Sequence, residues 1–382
     1  MTLPTLEATR QAAPAALAAD TNTLALYGGV VVLPPATPFN AIQAQERHPG
    51  YRHLLLPQAR FARPRGHGAL TADESERLAP GGRPALRIAP AGRSLSELAA
   101  DAALDLRDQL GSELLTRTTH LILASSALNE TIGDSVVGRL QYDLGLQGVM
   151  PLALGQNGTL GWYGALSLLG GLLGPDDQAL VILGDKWLYP FFRQFGELVG
   201  YSDAAAALLV RRGTHVPEHA ELTAWGSIGG LALEFGEAIA DPWNTTPEAL
   251  GDALVPIAAR AIRGALNAAG REPASIDWCV PPGFGPAFAM RVADAVGVPC
   301  ARRVQHEVTG HLSSAGVQHE VTGHLSSAES AAALIRLAAS LDEDERRTVL
   351  VWDAALHGAA AAAVCDVKGG FEAALDIEGD LQ

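Results

Sequence analysis

Short strand-like apolar runs alternate with longer Ala- and Leu-rich stretches of helical spacing over most of this chain. That alternation confines it to a layered α/β fold. Residues 24–33 read as a strand closing on Pro34-Pro35. Residues 94–110 carry apolar side chains at helical spacing, with Ser94 as N-cap and Glu97 three positions on, as in a capping box. The pattern then predicts strand 120–125, helix 132–144, a short strand at 150–154, and strands 179–184 and 204–210. The second half repeats it: helix 247–269, strand 276–280, helices 287–296 and 330–341, strands 348–352 and 359–367. The longest apolar tract, 160–173, is Gly-studded and short of the ~18 residues of a membrane span, so a buried core helix accounts for it.

Composition narrows the function. Hydrophobic residues make up 48% and charged residues 18%, enough apolar material for a sizeable core and too little charge for a disordered chain. The net charge of −15 excludes a general nucleic-acid binder, which needs clustered Lys and Arg. Cys279, Cys300 and Cys365 stand far apart with no CxxC spacing, which predicts a reduced, cytoplasmic protein without a disulfide framework. Residues 1–20 lack a basic region leading into an apolar one and read as a leader, not a signal peptide. Residues 41–93, crowded with Pro, Gly, Arg and His, read as a surface excursion.

One internal repeat is present: residues 304–315 recur identically at 317–328. Two copies of so short a unit do not make a solenoid. Each copy places two histidines five residues apart, His306/His311 and His319/His324, whereas a zincin helix needs them four apart. No metal is expected.

Gly155-Gln-Asn-Gly158-Thr159-Leu-Gly161-Trp162 follows the strand at 150–154 and opens the apolar helix. A Gly-flanked residue at such a turn is how a fold presents a nucleophile, and equally how it packs a tight turn with Thr as cap. The order of segments decides more. A strand ending in Val-Val-Val-Leu-Pro34, a helix of the Ser94-Leu-Ser-Glu-Leu-Ala type, the strand Leu121-Ile-Leu-Ala-Ser-Ser126, the Leu144-Gly-Leu146 helix end, the elbow, and Tyr201-Ser-Asp203-Ala-Ala-Ala-Ala207 follow one another. In this order and spacing the chain resembles the thiolase superfamily, and most closely ketoacyl-ACP synthase III, colinearly over residues 24–367.

The resemblance implies a thiolase fold, five-layered α/β/α/β/α, of two pseudo-duplicated halves at 1–212 and 213–382. It also implies a Cys-His-Asn site, and all three identities are altered here. Thr159 stands for the Cys, Pro282 for the His after Val280-Pro281, and His324 for the Asn before the Ser/Ala-rich helix. The terminal loop that helps build the oxyanion hole corresponds to Trp352-Asp353-Ala-Ala-Leu-His357-Gly358, so Gly358 is the expected backbone donor. Trp162, Asn157 and Phe284 are candidate pocket residues. A Thr hydroxyl needs a positioned base where a Cys thiolate does not, and His324 is the candidate, oriented by Asp353 or Glu329.

Ordinary decarboxylative condensation is therefore not expected. An acyltransferase of fatty acid- or polyketide-related metabolism is, with acyl-CoA or a phosphopantetheinyl acyl-carrier protein as co-substrate and no bound cofactor. The alternatives are a non-catalytic subunit paired with a Cys-containing ketosynthase, and an acyl-ligand binding protein. The resemblance implies a homodimer beside the elbow strand, with no membrane or nucleic acid as partner.

Overall fold

The computed structural model describes residues 23–38, 85–90, 92–126, 135–187, 193–213, 223–237, 245–298 and 323–377. The strands are β1 (Leu24–Leu33), β2 (Ala36–Pro38), β3 (Ala85–Arg87), β4 (His120–Ser125), β5 (Met150–Gly155), β6 (Gln178–Asp185), β7 (Gln194–Phe195), β8 (Val199–Gly200), β9 (Ala204–Arg212), β10 (Gly226–Phe235), β11 (Trp278–Val280), β12 (Arg346–Ala355), β13 (Ala359–Lys368) and β14 (Ala374–Ile377). The helices are α1 (Leu95–Leu110), α2 (Ser112–Thr116), α3 (Val136–Asp143), α4 (Gly161–Leu172), α5 (Pro247–Ala269), α6 (Pro286–Val296) and α7 (Glu329–Ser340).

The main sheet runs β11-β12-β13-β10-β1-β9-β6-β4-β5, with β14 added parallel to β1. It consists of two copies of one pattern. In the first, β4 lies parallel to β6, β6 antiparallel to β9, and β9 antiparallel to β1. In the second, β11 lies parallel to β12, β12 antiparallel to β13, and β13 antiparallel to β10. Helices fall at matching places: α1 and α5 after the first strand, α3 and α6 after the second, α4 and α7 before the third. Residues 299–322, between α6 and α7, lie outside the described residues. The β1–β10 pairing, Leu24 to Leu26 against Ile228 to Gly226, joins the two copies.

Strand periodicity sorts the side chains into layers. Ala25, Tyr27, Leu121, Leu123, Leu180 and Ile182 face α1 and α3 in one core. Their alternates Leu26, Ile122, Val181 and Leu183 face α4 and α7, as do Val349, Val351, Ala361 and Ala363 from the second copy. Leu350, Trp352, Ala360 and Ala362 face α5 and α6 in a third core. Two helical pairs outside and one between the two halves of the sheet make the five layers α/β/α/β/α, as the sequence resemblance implied.

Local chemistry explains the element ends. Ser94 caps α1 in a complete capping box with Glu97. Thr246 caps α5, Pro247 occupies its first turn, and Gly270 closes it in the left-handed conformation. The helix expected at 132–144 is described from Val136, capped by Ser135.

Two features depart from the sequence pattern. β10 does not appear in it, because its Gly226, Gly229 and Gly230 lower strand propensity. Gly230 is required there: a Cβ would collide with the Ala265 carbonyl of α5. The end of the 41–93 excursion is also built in, not merely superficial. β3 pairs with β2, and buried Arg87 donates to the Pro34 carbonyl at 2.9 Å. The remainder of the excursion, the leader, and the first repeat copy with His306 and His311 lie outside the described residues.

Candidate active site

β5 ends at Gly155, and the chain turns into α4 through Gln156, Asn157 and the 3-10 turn Gly158–Leu160. Gln156 and Gly158 both have positive φ, 63° and 55°. At Gly158 a Cβ would stand 2.9 Å from Ala355 Cβ, so the turn needs glycine for conformation and for space. Asn157 is exposed and its Nδ2 lies over Gly164, on the outside of the elbow. Thr159 is only 2% exposed. Its hydroxyl lies 2.8 Å from the Ala354 carbonyl oxygen and 3.2 Å from Asp353 Oδ1, two acceptors for one proton.

His324 follows Gly323 and is 0% exposed. The second repeat copy therefore supplies the site. A bridge to Tyr201 and mutual backbone bonds, His324 N–H to Gly200 O and Ser202 N–H to His324 O, hold it in place. The rings of Tyr201 and Phe284 meet it edge-on at 5.5 and 5.4 Å, and Trp187 stacks behind Tyr201 at 4.6 Å. Nδ1 accepts the Ser326 N–H at 2.8 Å, which fixes the proton on Nε2, and Nε2 donates to Asp353 Oδ1 at 2.9 Å. Both ring nitrogens are engaged, so the imidazole has no lone pair for the Thr159 proton. Asp353 Oδ1 is the atom that both side chains approach, and His324 sits behind it. Glu329 does not orient the ring: its Oε2 is 4.0 Å from Nδ1 and accepts the Leu325 N–H at 2.6 Å.

Strand alternation puts Asp353, 1% exposed, on the same face of β12 as Val351 and Ala355. Oδ1 also accepts the Ala354 N–H at 2.7 Å, while buried Oδ2 has no hydrogen-bond partner among the described residues. Burial raises the Asp353 pKa, and the charge and hydrogen bond of His324 oppose the rise.

A second carboxylate, absent from the sequence reading, ties the surrounding segments together. Asp185, at the end of β6, accepts from Ser125 Oγ, Ser126 N–H, Ser126 Oγ and Ser327 N–H at 2.6 to 3.1 Å. Ser126 Oγ lies 2.8 Å from the Gly158 carbonyl oxygen. The signal for Asp185 was an acid directly after the apolar run 179–184. Arg193 and Asp203 make a buried ion pair at 2.8 Å on the other side of Trp187, whose backbone N–H donates to Asp203.

The remaining expected residues divide. Pro282 is buried, and the following Gly283 backs onto Gly323 and His324 so closely that a Cβ would stand 2.8 Å from His324 Cα. Phe284 packs on His324 as described. Trp162 is buried in the central core with its indole N–H unbonded. The Gly358 N–H donates to the Ala355 carbonyl at 3.0 Å, closing the β12–β13 turn, so it is occupied and not a free oxyanion donor. Arg260 and Arg271 pair with Glu234 and Asp366 on the surface, and Arg263 donates to the Ala295 carbonyl. Among the described residues no group of three or more His, Cys, Asp or Glu could hold a metal ion, and no helix is long and apolar enough to cross a membrane.

No protein-family model matches the sequence, and no curated protein matches it. Solved structures do. 3-Oxoacyl-(acyl carrier protein) synthase III, FabH, from Pseudomonas aeruginosa PAO1 is similar over 91% of this chain and 98% of its own, with a TM-score of 0.60 and 17% identity. The fold is that of ketoacyl-ACP synthase III. ChlB3, described as an acyltransferase, shares the synthase III fold over 91% of this chain and 98% of its own, at TM-score 0.62 and 16% identity. OleA from Xanthomonas campestris does so over 90% and 98%, at 0.61 and 17%. Within this synthase III fold, the elbow, the Pro282 segment, Gly323-His324 and the β12–β13 turn converge on one place.

Proposed function

We propose that this chain is a ketoacyl-ACP synthase III-like acyltransferase that moves an acyl group from a CoA or acyl-carrier thioester through Thr159. One observation carries the reading: the Thr159 hydroxyl and His324 Nε2–H meet on the same oxygen of a buried carboxylate, Asp353 Oδ1. Asp353 is then the base and His324 positions it, which reverses the order expected from the sequence. Thr159 Oγ attacks the thioester carbonyl and its proton passes to Asp353. The raised pKa of Asp353 favours that transfer, and the resulting neutral acid does not repel the oxyanion beside it. The N-terminal end of α4 favours the negative charge there. Collapse expels the thiolate, and an alcohol, amine or water then takes the acyl group.

Pro282 offers no side-chain donor where the resemblance puts a His, which supports transfer without decarboxylative condensation. The likeness to 3-oxoacyl-(acyl carrier protein) synthase III and to the acyltransferase ChlB3 supports a thioester donor, CoA or a carrier protein. The reading includes a homodimer. β5 pairs with β4 on one side, and Met150, Ala153 and Gly155 are exposed along it, as suits a strand that abuts a second copy.

Intact-protein mass spectrometry after incubation with acyl-CoAs and acyl-carrier thioesters tests the chemistry. An acyl adduct is expected on the wild type and none on Thr159→Val. The near-complete burial of Thr159, Asp353 and His324 favours a second reading, a non-catalytic subunit. Absence of an adduct with every donor would favour that one.

A further inference from the structure

The carboxylate that serves Thr159 lies on the buried side of the elbow. On its open side the turn between β12 and β13 carries His357, an exposed residue. Its ring packs over Gly158, the residue before Thr159: a Cβ on Gly158 would stand 3.4 Å from both Cε1 and Nδ1 of His357. The same turn contains Ala355, which presses on Gly158 from beneath, so the ring is carried by a rigid hairpin and not by a loose loop. The elbow thus has two proton-handling groups near it, Asp353, which is 1% exposed, and His357, which is exposed.

We propose that His357 is the base that activates the acyl acceptor, a proposal resting on acylation of Thr159 as described above. The acceptor is an X–H group, an alcohol, amine or water, arriving from the open side. Its oxygen or nitrogen forms the new bond to the acyl carbon, and its proton passes to the unprotonated ring nitrogen of His357. The ester bond to Thr159 breaks, and Thr159 Oγ regains the proton held by Asp353. His357 then releases its proton to solvent, balancing the proton that the expelled thiolate takes up. The sum is acyl thioester plus HX giving acyl-X plus thiol. Partial burial of the ring against Gly158 pushes the His357 pKa below the ordinary imidazole value, which favours the neutral form that can accept a proton.

The division of labour has a readout of its own. Wild type and His357→Gln are acylated with the same acyl-CoA, freed of donor, and followed by intact mass in buffer, where water is the acceptor. The expected result is equal acylation rates and an adduct on His357→Gln that decays on the order of 100-fold more slowly. Imidazole added to His357→Ala is expected to restore decay. Equal decay in wild type and His357→Gln would overturn the role of His357 and leave the acyl-Thr159 reading standing. Slowed acylation with unchanged decay would overturn it also. Absence of any adduct on the wild type would overturn both. Because the side chain is exposed, both variants are expected to keep the wild-type Tm, which separates these outcomes from misfolding.

Discussion

The two halves each lead into their central helix through a 3-10 turn, Gly158–Leu160 before α4 and Ser326–Ala328 before α7. Both turns open with a left-handed residue, φ 55° at Gly158 and 52° at Ser326. The first half meets this demand with glycine, which leaves room for Ala355 and keeps residues 155–157 exposed. The second meets it with serine, at a cost of about 1–2 kcal/mol. Bonds offset the cost: Ser326 N–H donates to His324 Nδ1, Ser326 Oγ accepts the Trp187 indole N–H at 2.8 Å, and Ser327 N–H donates to Asp185. One backbone shape thus serves two ends. The first turn is preceded by the exposed residues 155–157, while the second is buried throughout. Polar fixing of the second turn makes the simple geometry of the first usable.

Removing the fixing group is the strongest way to break this arrangement. Asp185→Ala strips the acceptor from four donors at once and is expected to cost on the order of 3 kcal/mol or more, read by urea denaturation. Loss below about 1 kcal/mol would mean that the turn holds itself. Next comes Gly158→Ala, where a Cβ meets Ala355 at 2.9 Å in a left-handed conformation. It should cost about 2 kcal/mol. The matching change in the second turn, Ser326→Ala, keeps the strain and loses the Trp187 bond, for about 1 kcal/mol.

The smallest effect concerns pH. Burial raises the pKa of both Asp353 and Asp185 in the folded state. Between the unfolded carboxylate pKa and the raised folded value the native state binds more protons. The stabilisation is thus complete below pH ~3.9 and is lost as pH rises through the folded value. Asp353→Asn removes one such group, so its Tm relative to wild type is expected to increase from pH 4 to pH 7. A flat difference would show that His324 compensates the burial of the carboxylate fully.

Much of the fold was readable because most elements are either fully buried strands or amphipathic helices. Strand 24–33, the Ser94–Glu97 box and helix 247–269 appear where the pattern put them. β10 was not readable, since its glycines answer to the approach of α5, a contact far away in sequence. β14 is a short partner of β1 whose strand character comes from that pairing. At the candidate site the family resemblance pointed to Thr159 and His324 and to the segment holding Asp353. It could not say which atom stands between which, because hydrogen-bond order at a buried junction depends on the register of β12 against β13 and on a histidine tautomer. Nor could it pick out Asp185 or His357, whose neighbours at the elbow are brought close only by folding.

The three-pair ladder between β1 and β10 has a consequence for how the molecule holds together. The central helices α4 and α7 bury their side chains in one cluster drawn from both half-sheets, so each half presents an uncovered apolar face when the other is absent. The two halves are therefore expected to melt as one unit.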